Sequence, residues 1–541
     1  MLFEMAHSLD FVYNTLEFTS GKCQGATVIE PIPGYYLDHV ATLDYNSLYP
    51  SCIIMGNLCP STLIMPDTVV SDSWVIKQVL GHRFVQNTVG IIPLMLSKLL
   101  EARTITKRLL SDSTNDADRR QLNYRQLALK LCANSAYGYL NSPGMYRCLP
   151  VAESTTALGR IAIETAKEIA EGAPYFGRVI YGDTDSVMIR LPGVNTLEED
   201  SRIARQIADH VTGHYEGKLV LEPEKIYCPY LLAKKKRYCG LMYTSPSSKP
   251  TVPDCKGFEY VRKDTFPFFH NLQASLFAVL VAPFTKSSEV SIGNICEQRR
   301  LAAMKIIADA AHALESKTVP FAELLVSKSL RKLYKNEESV IQAVVNNQIK
   351  LITPGREFPP GDRVPFFIVN GSVSFLNANH APSLREKNNA LTNRAVFSDF
   401  FFKYPVFSQN LDWNYYLDRM RPSIIQIMGL ISRTHLPAVE KIFQHTSEML
   451  KRSSRTFTAL PHRDISSFFG VVSNQNPVDV PVDSNQNQQN SPPILFQAYS
   501  MIKKPSSSCS MIKKVLPKRK KSQVVIDPKK MRTIGSFFKQ S

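Results

Sequence analysis

The chain has 541 residues, of which 44% are hydrophobic and 21% charged, enough to bury a core in several domains. Its net charge of +17 favours a polyanionic partner. It contains no apolar run long enough to cross a bilayer and its start lacks the basic region of a secretory signal, so neither a membrane partner nor secretion is expected.

Apolar runs and helical periodicity alternate up to about residue 452. Strands are predicted at 39–43 and 178–181, and helices with basic residues between apolar positions at 93–110 and 125–137. The stretches 271–352 and 413–450 are predicted to be mostly helical, and the apolar run near 272–284 to be a buried helix.

The ten cysteines form no C-x-x-C pair, so the sequence gives no sign of a structural zinc or iron–sulfur site. Without a secretory signal, we predict that they are reduced thiols in the cytosol or nucleus.

Two acidic segments adjoin strand-like runs. Asp44 ends the first run and opens a turn, and Asp183 and Asp185 lie in Y-G-D-T-D-S between two apolar runs, which predicts a hairpin with acids at its tip. In an extended strand Asp183 and Asp185 would share one face, although a tight turn can change that. A simple solvated loop is the alternative for such a turn taken alone.

Crowded carboxylates need a counter-charge, and a divalent cation is the usual one. Nucleotidyl transfer uses two such ions about 3.5–4 Å apart, one lowering the pKa of an attacking hydroxyl and one holding a triphosphate. Oxygen ligands favour Mg²⁺. The acids therefore predict a site for two Mg²⁺ ions.

Two predicted helices carry basic faces. Lys130, Asn134 and Tyr137 follow one another at i, i+4 and i+7, and Arg103 and Lys107 at i and i+4. Such faces can clamp a triphosphate, and Lys130 can also donate a proton to a leaving group. Tyr137 can pack on a base pair. The alternative for Arg103 and Lys107 is an exposed helix face.

The run K-K-K-R-Y at 234–238 joins cations to an aromatic ring, which fits contacts to nucleic-acid phosphates and sugars. A charged loop is the alternative. The composition of the segment D-C-K-G-F-E at 254–259 does not by itself predict a function.

In this order and spacing, the segments resemble the motifs of family B DNA polymerases. Residues 44–50 are similar to D-x-x-S-L-Y-P, 130–138 to K-x-x-x-N-S-x-Y-G, 181–186 to Y-G-D-T-D-S and 235–238 to K-K-R-Y. Other segments resemble the eukaryotic delta-type enzymes, namely 25–31, 228–232, 254–257, 361–365 and 415–417. The resemblance runs from about residue 24 to about residue 431.

The resemblance implies a role for each motif residue. Asp44 and Asp185 would be the principal metal ligands, Asp183 a nearby third acid and the Tyr45 carbonyl a further ligand. The implied nucleotide contacts are the amides of Ser47 and Leu48, Tyr49 as a steric gate beneath the sugar, and Arg103, Lys107, Lys130, Asn134 and Tyr137. The implied contacts to primer–template DNA are Lys235, Lys236, Arg237 and Tyr238.

The implied fold is α/β, a right hand with an antiparallel palm sheet, helical fingers and a mostly helical thumb. The expected divisions are the linker and first palm segment over residues 1–88, the fingers over 89–142, the second palm segment over 143–258, the thumb over 259–455 and a disordered basic tail over 456–541. The implied reaction is Mg²⁺-dependent attack of a primer 3′-hydroxyl on a dNTP in DNA replication.

Two departures from the family pattern shape further expectations. The catalytic acidic residues of the exonuclease domain that family members usually carry cannot be placed in this chain. We therefore expect a polymerase half without 3′→5′ exonuclease activity. The cysteine-rich C-terminal module of delta-type enzymes is also missing. This combination favours a large DNA virus, or a divergent copy, over a cellular delta subunit.

The end of the chain differs in composition. From residue 453 onward it carries 14 Lys and Arg against four Asp, a net charge of +10. This basic tail is an alternative explanation for much of the chain's net charge of +17. Residues 473–493 are rich in Asn, Gln, Ser and Pro and are predicted to be disordered. Residues 517–521, P-K-R-K-K, resemble a nuclear import signal, with non-specific DNA contact as the alternative.

Two short segments of this tail resemble the peptide by which replication proteins bind a sliding clamp. Their anchor residues would be Ile465, Phe468 and Phe469 in one copy and Ile534, Phe537 and Phe538 in the other. The usual Gln position holds His462 and Met531. Packing of the phenylalanines on the thumb is the alternative.

Two rival functions stay open. One is a palm polymerase that uses ribonucleotides or an RNA template, against which the bulky Tyr49 argues. The other is a non-enzymatic remnant that binds only DNA or a clamp, against which the intact Asp44, Lys130 and Asp185 argue.

Overall fold

A computed structural model describes residues 2–8, 23–66, 68–144, 147–193, 196–245, 253–284, 292–374, 383–385 and 390–455. The helices that precede residue 261 are α1 Leu2–Ser8, α2 Leu48–Gly56, α3 Ile91–Asp112, α4 Asp116–Asn141, α5 Leu149–Glu171 and α6 Leu197–His214. The strands of the same region are β1 Val28–Ile29, β2 Gly34–Tyr36, β3 Val40–Tyr45, β4 Leu63–Ile64, β5 Ile76–Val79, β6 His82–Val85, β7 Arg178–Asp183, β8 Ser186–Arg190, β9 Leu221–Lys234, β10 Arg237–Tyr243 and β11 Asp254–Lys256.

A second set of elements follows residue 261. The helices are α7 Pro267–Leu280, α8 Ile292–Glu315, α9 Phe321–Leu324, α10 Ile341–Ile352, α11 Ser398–Lys403, α12 Pro405–Gln409, α13 Trp413–Ile431 and α14 Leu436–Arg455. The strands are β12 Val326–Ser329, β13 Arg363–Ile368, β14 Ser372–Ser374, β15 Ser383–Arg385 and β16 Ala395–Phe397.

The central sheet has the strand order β1-β7-β8-β3-β9-β10-β11, with β2 pairing with β9, and its pairings are antiparallel. Alternate side chains of a strand face opposite sides of a sheet. Ala41 and Leu43 therefore pack with residues of α2, α5 and α6, whereas Val40 packs with tyrosines on the other face. The strands predicted at 39–43 and 178–181 are confirmed as β3 and β7.

Helices α3 and α4 pack against each other and are joined by only three residues. Asn115 begins α4, because its side chain accepts a hydrogen bond from the N–H of Ala117 at 3.0 Å. At the other end of the pair, the side chain of Asn57 binds the carbonyls of Val85 and Thr88 and the N–H of Gly90. These contacts fix the start of α3. The helices predicted at 93–110 and 125–137 are confirmed.

The later helices build a core of their own on β9 and β10. Leu231 and Leu241 belong to the same buried cluster as α7, α8 and α13. The buried helix predicted near 272–284 is confirmed as α7, and the helices predicted within 413–450 are α13 and α14. The prediction for 271–352 missed β12, which is short and becomes a strand only by pairing with β13.

The prediction of reduced thiols is wrong for one pair of cysteines. Cys239 of β10 and Cys255 of β11 are bonded as a disulfide. The sequence did not indicate this because the antiparallel register, which places the two residues directly opposite each other, is a property of the folded sheet.

Within the described ranges, no helix is long and apolar enough to cross a membrane. The predictions for the tail, including the disordered stretch 473–493, the import-like segment 517–521 and both clamp-like segments, fall outside the described residues.

Candidate active site

An open cavity of about 380 Å³ lies between the central sheet and the pair of helices α3 and α4. Its lining combines four sources: the end of β3 and the start of β9, the turn between β7 and β8, the start of α2, and residues of α3 and α4. The predicted site residues that line it are Asp44, Tyr45, Ser47, Leu48, Tyr49, Arg103, Lys107, Lys130, Asn134 and Asp185.

The acidic side of the cavity comes from the sheet. Asp44 of β3 lies opposite Ser186 of β8 and Glu222 of β9, and Asp185 lies in the two-residue turn between β7 and β8. The N–H of Tyr45 donates to the Asp185 carbonyl at 2.8 Å, which holds the turn beside β3. Strand pairing thus brings together acids that are far apart in sequence.

The electrostatics of these acids are those of a crowded, partly dehydrated pair. Burial is the main cause that raises the pKa of Asp44 to about 7, and the charges of Asp185 and Glu224 raise it further. Burial also raises the pKa of Asp185. Carboxylates held this way are stabilised as anions by a nearby cation.

Asp183 is placed differently from the other two acids. It ends β7 and does not line the cavity, and its Oδ1 lies 3.4 Å from Nζ of Lys236. The reason is the turn that follows, in which Thr184 has a φ of 65°. This left-handed residue turns the chain so that Asp185, but not Asp183, faces the cavity.

Sequence reasoning missed two acids of this site. Glu222 and Glu224 line the cavity from the first residues of β9, which pairs with β3 there. The alternation L-E-P-E-K at 221–225 was the available signal. Lys225 partly balances the charge of Glu224, since its Nζ lies 3.4 Å from that carboxylate; the same Nζ lies 3.6 Å from Asp254.

The basic side of the cavity comes from the helices. Arg103 and Lys107 of α3 line the cavity together with Lys130 and Asn134 of α4. Arg103 is half-buried, whereas Lys107 is exposed, so the exposed-face alternative stays open for Lys107. Nη1 of Arg103 donates to Oγ of Ser47 at 3.3 Å. Its buried Nε has no hydrogen-bond partner among the described residues. Burial lowers the pKa of Lys107, with the charge of Arg103 adding to the effect.

The floor of the cavity is the start of α2. Ser47 adopts a left-handed conformation with a φ of 56°, and its side chain does not cap the helix. The first N–H groups of any α-helix lack intrahelical acceptors, and in α2 the Ser47 side chain does not accept a hydrogen bond from them. Such a helix start favours an anion.

Tyr49 also lines the cavity, and its ring packs against Tyr137 with centroids 4.6 Å apart. Burial raises the pKa of Tyr49 to about 12. Tyr137 itself does not belong to the lining, so it lies behind Tyr49.

Lys235 and Lys236 of the K-K-R-Y segment form the turn between β9 and β10, and Arg237 and Tyr238 begin β10. Lys235 and Lys236 are exposed, and Lys235 pairs with Glu30. Arg237 and Tyr238 are not exposed with them, because both residues are buried and only 8% accessible.

The buried pair has partners inside the protein. Arg237 makes two hydrogen bonds to Glu259, at 3.1 and 2.9 Å, and one to Ser423 at 2.5 Å. Tyr238 packs among Tyr181, Tyr227 and Tyr230.

Comparison with known proteins agrees with this geometry. The family model described as DNA polymerase family B matches residues 1–431, which is most of the chain. The chain belongs to DNA polymerase family B. All of the cavity residues named above lie inside the matched region of this polymerase-family chain.

Among curated proteins, this family B chain is similar to the DNA polymerase delta catalytic subunits of Plasmodium falciparum and Bos taurus. The first is 36% identical over 432 residues, covering 76% of this chain and 36% of the relative. The second is 36% identical over 365 residues, covering 64% and 32%. The chain thus spans about a third of the length of these relatives.

Among solved structures, the family B DNA polymerase from the hyperthermophilic archaeon Pyrobaculum calidifontis is similar to this chain. The TM-score is 0.54 and the identity 25%, and the match covers 80% of this chain and 50% of that one. The mixed fold of helices and an antiparallel sheet is therefore that of a family B polymerase.

Proposed function

We propose that the chain catalyses template-directed DNA synthesis, adding dNTPs to a primer 3′-hydroxyl in DNA replication. One observation carries this proposal: a single cavity holds Asp44 and Asp185 on the sheet side and Arg103, Lys107 and Lys130 on the helix side. A triphosphate with divalent cations needs carboxylates around the cations and positively charged side chains around the phosphates.

The acidic side fits Mg²⁺ by its chemistry. The donors would be the carboxylates of Asp44 and Asp185 and the carbonyl of Tyr45, which are all oxygens, with Asp183 nearby. The described residues contain no cluster of three or more acidic, His or Cys side chains placed to hold a metal. Mg²⁺ in phosphoryl-transfer sites is usually held by one or two carboxylates together with substrate phosphates and water. When bound, two Mg²⁺ ions would activate the primer hydroxyl and neutralise the leaving pyrophosphate.

The remaining cavity residues would bind and orient the nucleotide. Arg103, Lys107 and Asn134 would contact the triphosphate, together with the free N–H groups at Ser47 and Leu48 at the start of α2. Lys130 would donate a proton to the leaving group.

Two tyrosines would act on the rest of the nucleotide. Tyr49 would lie beneath the sugar and exclude a 2′-hydroxyl. Tyr137, which packs against Tyr49, would lie next to the nascent base pair and pack on it.

In this proposal the central sheet is the palm, within 1–88 and 143–258, and α3 and α4 are the fingers, within 89–142. The helical region over 259–455 is the thumb. Lys235 and Lys236 at the β9–β10 turn would contact primer–template DNA, with Arg237 and Tyr238 supporting that turn from inside.

Partners and location follow from the delta-type relatives and the tail sequence. A sliding clamp would bind through Phe468 and Phe469 or through Phe537 and Phe538, and the basic segment 517–521 would direct nuclear import. For a viral chain, the nucleus would be that of the host.

Primer extension on a DNA template tests the proposal against both rivals. We expect Mg²⁺-dependent extension with dNTPs and little with rNTPs or on RNA. Asp44→Asn should reduce it by about 10³-fold, because a metal ligand is lost, while DNA binding persists. Asp209→Asn, an exposed acid of α6, is the matched control and should extend normally. DNA binding without any extension by the unmodified chain would favour the remnant instead.

A further inference from the structure

Gly159 lies directly behind the ring of Tyr49. It belongs to α5, and a Cβ added at this position would meet Cε1 of Tyr49 at 3.1 Å and Cδ1 at 3.6 Å. It would also lie 3.6 Å from Cδ2 of Leu48. The shortest of these distances is tighter than ordinary van der Waals contact, so a side chain at this position would press against the ring unless the ring moved.

The side of the ring that packs on Tyr137 is closed as well. The Tyr137 hydroxyl lies 3.9 Å from Sγ of Cys23, and that sulfur lies 3.8 Å from Oγ1 of Thr156 on α5. The Thr156 hydroxyl also donates to the carbonyl of Gln24 at 2.9 Å. The segment that contains Cys23 is thereby tied to α5 and supports Tyr137 from behind.

A second hydrogen bond strengthens this support. Nη1 of Arg160, next to Gly159 in α5, donates to the carbonyl of Gly25 at 3.0 Å. The ring of Tyr49 is thus enclosed by α5 and by a supported Tyr137, and its open side is the cavity.

We propose that Gly159 is a positioning residue for sugar selection, because the absence of a side chain there sets how far the Tyr49 ring projects into the cavity. This inference rests on the proposed function. A methyl group at position 159 would push the ring by a few tenths of an ångström toward the open side. A nucleotide with a 2′-hydroxyl needs more room there than a dNTP, so it would lose more affinity.

The test is the affinity for dATP and ATP on a primer that ends in a dideoxynucleotide, opposite a template thymine. In Gly159→Ala we expect dATP to bind about threefold to tenfold more weakly, since small misplacements at such sites are costly. ATP should lose still more, so the ratio of dATP to ATP affinity rises by a similar factor. Alanine is also a better helix former than glycine, so α5 itself is not weakened.

Two further variants separate positioning from a general packing effect. Gly213→Ala is the matched control, because Gly213 is also helical and an added Cβ there meets no atom within 4 Å. It should leave both affinities unchanged. In a Tyr49→Ala background, adding Gly159→Ala should no longer change the ratio, since the ring through which Gly159 acts is gone.

The possible outcomes are distinct. An unchanged or lower ratio in Gly159→Ala would overturn the positioning role, and so would an equal rise in the Tyr49→Ala background. Failure of the unmodified chain to extend a primer would overturn the proposed function, while the binding ratio, which needs no turnover, would still decide the role of Gly159. Binding of neither nucleotide would overturn both.

Discussion

Asp183 and Asp185 are separated by one residue, yet they have different surroundings. Asp185 faces Asp44 in the cavity, whereas Asp183 pairs with Lys236 outside it. The left-handed Thr184 between them breaks the strand alternation that would have placed both acids on one face. Two identical side chains in one motif are therefore expected to contribute unequally.

We predict that Asp185→Asn reduces primer extension by about 10³-fold, as expected for an essential metal ligand. Asp183→Asn should reduce it by no more than about tenfold, because it loses mainly an ion pair whose lysine is exposed to solvent. Single-turnover extension rates at saturating Mg²⁺ would measure both. Equal losses in the two variants would show that Asp183 also binds metal.

At the same scale, Tyr49 is expected to select the sugar. Tyr49→Ala removes the ring beneath C2′ and should raise rNTP incorporation relative to dNTP incorporation by at least about tenfold. Competing single-nucleotide additions on one template would measure this ratio. An active variant with the original ratio would contradict the steric role.

Among the elements, the β9–β10 turn depends on a buried polar network. Gly257 must be glycine, since its φ is 70° and a Cβ would lie 2.0 Å from the Lys236 carbonyl oxygen. This close approach gives a physical reason for the segment at 254–257, about which composition indicated little. Next to it, Glu259 accepts hydrogen bonds from Arg237, Gln273 and Ser423, which joins the turn to α7 and α13.

The charge state of this network is well defined. Burial alone would raise the pKa of Glu259, but the hydrogen bonds from Arg237, Ser423 and Gln273 outweigh it and lower the pKa to about 2. A folded-state pKa below the ordinary value of 4.5 stabilises the fold above about pH 5. This contribution is lost as the pH falls toward 2.

We predict that Arg237→Lys lowers the free energy of unfolding at pH 7 by about 2–3 kcal/mol, because lysine cannot make both hydrogen bonds that the buried arginine makes to the partly buried carboxylate. Primer–template affinity should fall as well, since the turn carrying Lys235 and Lys236 loosens. Urea unfolding and DNA titration would measure the two effects.

The matched control is Arg262→Lys. Arg262 makes a similar two-bond contact to Asp264, but its side chain is 51% exposed. Its loss should stay below about 1 kcal/mol. Equal losses for the two arginines would mean that the buried network does not support the turn.

For the whole molecule, the tail is expected to act through a partner. We predict that replacing both Phe537 and Phe538 with Ala reduces synthesis on long templates when the cognate clamp is present, while short primer extension stays normal. An aliphatic residue and two aromatic rings within one helical turn form a compact apolar surface suited to a groove.

The control for this experiment is Phe496→Ala, a tail phenylalanine outside both clamp-like segments. Product length with and without clamp would be compared for the two variants. Processivity that is unchanged without Phe537 and Phe538 would contradict docking through this segment.

Much of the fold and of the cavity was predictable from the sequence. Helical spacing placed Arg103, Lys107, Lys130 and Asn134 on the faces where they are found, and apolar runs ending in acids placed Asp44 and the hairpin. These predictions succeed because strand and helix periodicity are local properties of the chain.

Other features were decided only by the tertiary structure. Glu222 and Glu224 join the site because β9 pairs with β3, and Cys239 meets Cys255 because β10 pairs with β11. Arg237 donates a hydrogen bond to Ser423 of α13, a helix far away in sequence. Gly159 contacts the ring of Tyr49 because α5 passes behind it. Each of these contacts joins segments that are far apart in sequence, and no local pattern specifies which segments meet.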